Sequence, residues 1–240
     1  MNKLLNVFIL SSIAVYVVLW SGGVISSALW KESPDGTEWV APTFLYLATM
    51  LILLQVNARN RLIFIGIGLF GFGAEVLGES TGFPFGTYSY GSALGPALFD
   101  VPIALVSAWI VVTVFAANVL IWANVAKGWW PIVGPITMVV IDFLLEPVAT
   151  GPMDAWSWQS IGVYYGVPIS NFIGWFVVSL PIFAVLSAAK FRDRGGVVVS
   201  TSVIAFFLII SLINLLWWPL IIAGTSFAML FFWRRHTSPS

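Results

Sequence analysis

VPIALVSAWIVVTVFAANVLIWAN, residues 101–124, carries no charged side chain and reads as one uninterrupted apolar helix. At about 1.5 Å per residue it extends ~36 Å, enough to cross the ~30 Å hydrocarbon core of a bilayer. Further apolar stretches lie near 5–29, 40–57, 62–78, 130–147, 168–189, 197–214 and 218–233, separated by short polar or aromatic connections. The whole chain of 240 residues is 60% hydrophobic and 8% charged, with mean hydropathy +0.99. Soluble domains carry roughly 25% charged residues, so these side chains cannot cover a water-exposed globule. The expected fold is all-α: a polytopic transmembrane helix bundle forming one integral membrane domain over 1–240.

The apolar N-terminal run from Leu4 to Trp30 exceeds the 7–15 residues typical of a signal-peptide core, so it reads as the first span. Basic and acidic connections then alternate. Lys3, Arg59 with Arg61, Lys127, and Lys190 with Arg192 and Arg194 mark one side. Glu32, Asp35 and Glu38, then Glu79 and Asp100, then Asp154 mark the other. Cytoplasmic loops are enriched in Lys and Arg, and Arg234 and Arg235 fit that side only if the last apolar run crosses twice. This predicts about eight helices, with seven as the alternative, in a multi-pass cell-membrane protein with both termini cytoplasmic.

Several functions are excluded by composition. Net charge is zero and no basic stripe is present, which leaves nucleic acid without a binding surface. There is no cysteine, and the single histidine, His236, stands beside Arg234 and Arg235 near the C-terminus. Thiolate chemistry and multi-histidine metal centres are therefore not expected. Lys3, Lys31, Lys127 and Lys190 all fall outside the spans, which disfavours a retinal Schiff base.

Two stretches resemble one another. Glu75 and Glu79, Thr81-Gly82, Tyr88 and Tyr90, Val101-Pro-Ile103 and Trp109 recur as Asp142 and Glu146, Thr150-Gly151, Trp156 with Trp158, Tyr164 and Tyr165, Val167-Pro-Ile169 and Trp175. They predict parallel repeat units over 62–124 and 130–189, as occur in some transporters. Each acid pair is spaced four residues apart and shares a helix face. Counting helical rise, Glu75 lies about 21 Å from Arg61 and Asp142 about 22 Å from Lys127, so the two should reach similar depth. Acids within spans are costly and face the bundle interior. Glu75 and Asp142 are the principal candidates for proton handling, with one acting as a general acid. Glu79 and Glu146 are expected nearer the water interface, and Asp100 precedes one of the Val-Pro pairs. Tyr88, Tyr90, Trp156, Trp158, Tyr164, Tyr165 and Trp175 could form an aromatic slot that binds an apolar substrate or stabilises a cation. Asn171 adds a polar group, and Trp20, Trp39, Trp129, Trp130 and Trp233 read as interfacial belt.

Glu75-x-x-Gly-x-x-Thr81-Gly82 with Phe85-Gly-x-Tyr88-x-Tyr90, and Trp156-x-Trp158 with Gly162-x-Tyr-Tyr-Gly-Val-Pro168-x-x-Asn171-Phe-x-Gly-Trp175, resemble the membrane carotenoid-biosynthesis family. That family includes the carotenoid hydratases of bacteria and the bisanhydrobacterioruberin hydratases of haloarchaea. The resemblance covers about 75–178 and implies a lipophilic carotenoid substrate within the lipid bilayer. It implies hydration of the terminal double bond of an acyclic end group, giving a tertiary alcohol. From the chemistry, Glu75 or Asp142 would donate the proton, and Glu79, Glu146 or Asp100 would orient water, with no cofactor. A carotenoid cyclase or isomerase shares the protonation step, and a non-enzymatic carrier or pigment-binding protein is the alternative of another class.

Overall fold

The computed structural model describes residues 3–30 and 36–237; Lys31, Glu32 and Asp35 lie outside the described residues. Eight α-helices are present among the described residues. They are α1 (Lys3–Leu29), α2 (Val40–Gln55), α3 (Ala58–Thr81), α4 (Ala104–Trp122), α5 (Trp130–Thr150), α6 (Ile169–Ala188), α7 (Val197–Ile213) and α8 (Trp217–Thr237). Five helical segments are long and apolar enough to cross a membrane, and α2 and α7 are shorter apolar helices. The last apolar run is a hairpin of α7 and α8, with Pro219 in the first turn of α8. That is the expected eight-helix, all-α bundle.

Local sequence sets the helix boundaries. Asn57 caps α3 by accepting from the Asn60 amide at 3.0 Å, and Gly82 ends the helix in the left-handed region at φ 75°. That conformation suits a residue without a Cβ. α4 starts at Ala104, three residues after its apolar stretch begins, because Val101-Pro102 forms strand β3. β3 pairs with β2 (Ala97–Leu98) around Phe99 and Asp100, both at positive φ.

Two further strands locate the ends of the bundle. β1 (Tyr88–Tyr90), after α3, pairs antiparallel with β4 (Trp156–Trp158), after α5, in the register Tyr88 to Trp158 and Tyr90 to Trp156. The α3–α4 and α5–α6 connections therefore meet at one end. At the other end Asp193 accepts from the Asn57 backbone (3.2 Å) and from the side chains of Asn57 and Asn60 (3.0 Å each). Lys127 donates to the Phe191 carbonyl, and Arg61 Nε to the Leu53 carbonyl at 2.9 Å. The basic connections gather there, opposite the aromatic loops.

The core is packed closely enough that glycines set the helix spacing. A Cβ on Gly68 would strike the Val106 carbonyl and Ile110, one on Gly71 would enter the Trp109 indole, and one on Gly134 would enter the Phe183 ring. α3 thus closes on α4, and α5 on α6, over small residues, as helices in lipid do. Trp130 departs from the interfacial reading: it is fully buried, its Nε1 donates to the Val125 carbonyl, and the Lys127 ammonium lies over its ring.

Candidate functional site

Strand geometry sends residues two apart to the same face. In β1 and β4 this turns Tyr88, Tyr90, Trp156 and Trp158 inward, while Ser89 and Ser157 meet at the exposed outer face. Opposed rings form a wall: Tyr88 and Trp158 lie 5.0 Å apart between centroids, and Tyr90 and Trp156 5.9 Å. Below them Trp109 of α4 and Trp175 of α6 stack at 4.5 Å with 16° between planes.

Each wall holds a glutamate of its own hairpin. Glu75 Oε2 accepts from the Tyr88 hydroxyl at 2.7 Å and the Tyr90 hydroxyl at 2.8 Å, and Oε1 accepts from Trp109 Nε1 at 3.1 Å. Glu146 Oε2 accepts from Trp158 Nε1 at 3.0 Å and Trp156 Nε1 at 3.3 Å, and Oε1 accepts from Asn171 Nδ2 at 3.1 Å. The same amide nitrogen donates to Asp142 Oδ2 at 2.7 Å, joining both acids of α5 through Asn171. Exposure is 5% for Glu75, 2% for Glu146 and 1% for Asp142. Burial first, and then the charge of Glu75, push the Tyr88 and Tyr90 phenols upward, so both keep their protons and remain donors.

Glu75 and Glu146 line one cavity of about 30 Å³, together with Phe85, Leu105, Asn171, Trp175 and the four ribbon aromatics. That volume suits a water or two. The acids facing this space are therefore Glu75 and Glu146, not Glu75 and Asp142; Asp142 reaches it through Asn171. Glu146 is buried rather than interfacial, because the β4 indoles fold back over the end of α5. Glu79 is half-buried one turn outward of Glu75, and Asp100 is exposed in the β2–β3 turn. Neither lines the cavity.

Tyr164 and Tyr165 stand apart as well. Pro147 has no N–H to give the Phe143 carbonyl four residues earlier, and the Tyr164 hydroxyl supplies that bond at 2.7 Å. Tyr165 lies at the surface, where its oxygen accepts from the Trp218 backbone at 3.5 Å. Three contributors escaped the site reading of the sequence, Leu105 of the cavity lining among them. Trp109 served there only to mark the repeat, yet it binds Glu75. Phe85 is wedged between α3 and α6, where Cβ atoms on Gly78 and Gly174 would collide with its ring. The aromatic-Ser-aromatic spacing shared by 88–90 and 156–158 was the available signal for the ribbon.

Fold and site together define a multi-pass membrane protein with a small, aromatic-walled carboxylate chamber near one end of its bundle. The chain belongs to the carotenoid biosynthesis protein family, whose model matches residues 38–232. It is 29% identical over 151 residues to the bisanhydrobacterioruberin hydratase of Haloarcula japonica, covering 59% of this chain and 48% of that protein. The chain thus spans about half the length of the curated relative it matches. No solved structure matches it.

Proposed function

We propose that this protein is a carotenoid hydratase, adding water across the terminal double bond of an acyclic carotenoid end group to leave a tertiary alcohol. The observation that carries this reading is the pair of glutamates, Glu75 and Glu146, on one water-sized cavity walled by aromatic rings. Similarity to a protein named as a hydratase supports it. In this reading 1–240 is one membrane domain, α3–α4 and α5–α6 are parallel copies, and the basic end with both termini faces the cytoplasm.

Donor chemistry separates the two glutamates. Glu146 is held by two indole N–H groups and one amide N–H, which as oriented only donate and so suit an ionised carboxylate. Glu75 is held by phenols, which donate to a carboxylate but can also accept from a carboxyl group. Glu75 can therefore gain and release a proton while keeping both partners, and we assign it as the general acid. The cavity as it stands admits only water, so the end group reaches Glu75 when the aromatic wall parts; the proton then passes to the less substituted alkene carbon, and the π pair becomes the new C–H bond. The resulting tertiary cation is stabilised by the ring faces, worth up to about 2 kcal/mol in a desolvated site, and by Glu146. Water forms the C–O bond and gives its extra proton to Glu146. That proton returns to Glu75 through cavity water, so one water is added and both carboxyl groups are restored. Asp142 steadies Glu146 through Asn171. Glu79, one turn outward, guides water inward. The scheme draws on no metal or cofactor.

The test is to express Glu75→Gln, Glu146→Gln and Asp142→Asn in cells that make lycopene and to weigh the carotenoids. The wild type should yield products heavier by one water per hydrated end, and the two glutamate variants should not. Undiminished hydrated product in both glutamate variants would overturn the assignment. A converted pigment of unchanged mass would indicate a cyclase or isomerase. Pigment left unchanged by purified wild-type protein would indicate a carrier.

A further inference from the structure

A second hollow is an open groove of about 370 Å³ formed by three helices. α2 contributes Tyr46, Met50, Leu53 and Leu54, α4 contributes Ser107, and α3 contributes Arg61. The volume falls within the ~300–1,000 Å³ typical of small-molecule sites. Tyr46 and Leu54 are exposed, so the groove opens on the outside of the bundle, where the surroundings of a spanning helix are lipid.

Its two ends differ. A Cβ on Gly68 of α3 would strike the Val106 carbonyl and Ile110, so Gly68 stands level with Ser107. Arg61 comes seven residues earlier on α3, about 10 Å nearer the basic end. At the inner end Thr49 spends its hydroxyl on the Ser107 carbonyl at 3.3 Å, and Met50, Leu53 and Leu54 offer only apolar surface. At the basic end Arg61 donates from Nε to the Leu53 carbonyl at 2.9 Å and from Nη2 to the Val56 carbonyl at 3.4 Å. These are carbonyls at the end of α2, where no helical N–H remains for them. Both acceptors are neutral, so the guanidinium keeps its charge, and among the described residues Nη1 has no partner. Asp193, the acid of that end, spends its bonds on Asn57, Asn60 and Gly195.

The groove thus has a cation at the edge of the bilayer and an apolar length running inward from it. A polyene, apolar along its length, leaves that cation unanswered. A phospholipid meets both parts, because its phosphate lies at the membrane surface and its chains run inward. Guanidinium groups bind phosphate through paired, charge-assisted hydrogen bonds, and basic pockets between spanning helices hold anionic head groups. The bonds of Asp193 to Asn57 and Asn60 bring the α6–α7 connection, with Arg192 and Arg194, to the end that also carries Arg59. That surplus of positive charge favours an anionic lipid over a zwitterionic one. We propose that Arg61 and the groove form a binding site for one anionic phospholipid of the leaflet at the basic end. Its phosphate rests on Nη1 of Arg61, and one acyl chain lies against Met50, Leu53 and Leu54. The site is separate from the cavity of Glu75 and Glu146 and stands independently of the hydration reading.

The test is the unfolding midpoint of purified, detergent-solubilised protein with added dioleoyl phosphatidylglycerol or dioleoyl phosphatidylcholine. At ~100-fold excess over Kd a bound lipid should raise the midpoint by about 5–10 °C in a chain of this size, and the anionic lipid should do so where the zwitterionic one does not. Arg61→Gln should abolish that difference and Arg61→Lys should keep part of it. Leu54→Trp, which crowds the groove and leaves Arg61 in place, should also abolish it. Each variant is its own reference, so a change in its basal stability drops out of the comparison. Equal shifts with the two lipids in the wild type, or a preference for the anionic lipid that survives both Arg61→Gln and Leu54→Trp, would overturn the site. A shift reproduced by inorganic phosphate alone would overturn the role of the chain. Stabilisation by lycopene that survives Arg61→Gln and is lost in Leu54→Trp would assign the groove to a polyene and overturn the lipid.

Discussion

The α3–α4 and α5–α6 hairpins use the same parts with different chemistry. Each presents a buried glutamate to two rings from a three-residue strand and to a third donor from its descending helix. On the first hairpin the rings are the phenols of Tyr88 and Tyr90 and the third donor is Trp109. On the second they are the indoles of Trp156 and Trp158 and the third donor is Asn171. Only the second adds a further buried acid, Asp142; the first has Glu79, half-buried. Phenols can exchange the direction of a hydrogen bond and indoles cannot. In the proposed scheme a matched scaffold thus builds two carboxyl groups with complementary duties: one that rests protonated and gives its proton, and one that rests ionised and takes a proton up.

The largest effect should come from the glutamates themselves. A general acid contributes about 10²–10⁴-fold, so Glu75→Gln should lower hydrated carotenoid by at least ~10²-fold in a single-turnover assay. Glu146→Gln should match it if the base that takes the water's proton is as necessary as the acid. A mild Glu146→Gln beside an inactive Glu75→Gln would break the two-carboxylate scheme while leaving the acid in place.

The rings should separate the hairpins next. Hydrogen bonds to charged groups contribute roughly 1.5–3 kcal/mol each. Tyr88→Phe with Tyr90→Phe removes the groups able to accept from Glu75, and is expected to slow turnover by ~10–100-fold with a modest change in unfolding midpoint. Trp156→Phe with Trp158→Phe leaves Glu146 short of donors, and is expected to act chiefly on stability. Equal loss of rate in both pairs, measured beside thermal unfolding, would mean that the hairpins are not differentiated.

Asn171 gives a narrower test. It stands three residues after Pro168, as Leu105 stands three after Pro102. Asn171→Leu therefore makes the second hairpin resemble the first and strips one donor from both Asp142 and Glu146. The expected cost is about 1–3 kcal/mol, read as a lowered unfolding midpoint. Asp142→Asn in the same background should restore part of it, by removing an acid that no longer has its amide.

Much of this arrangement was legible in the residues. Helix number followed from apolar length and charge alternation, because a bilayer fixes both. Glu75, Tyr88, Tyr90, Trp156, Trp158 and Asn171 were all singled out, because polar and aromatic groups among apolar spans are few. What could not be read was which acid faces which. Counting rise along α5 places Glu146 near water, and that count is blind to a loop folding back over the helix end. The ribbon pairs residues 88–90 with 156–158, a contact between distant segments that neither apolar length nor periodicity registers. Trp109 was hidden for a related reason: an indole within a span looks like packing until its N–H finds a carboxylate on another helix.

The smallest effect lies at the opposite end of the bundle and tests whether burial is what makes the chamber acids different. Asp193 also accepts several hydrogen bonds, but from a partly exposed loop. Burial pushes its carboxyl upward, and bonds from Gly195, Asn60 and Asn57 outweigh this and hold it below the usual aspartate range. A depressed folded value contributes stability that is present above the unfolded value, about 3.9. That contribution is lost as pH falls through the lower folded value. Asp193→Asn should therefore unfold slightly earlier than wild type at neutral pH, and the gap should close as the pH is taken below about 3.9. Carotenoid conversion should be unchanged, since Asp193 lies at the basic end, away from the chamber. A midpoint gap that ignores pH would mean that the charge of Asp193 contributes nothing to the link between the α2–α3 and α6–α7 connections.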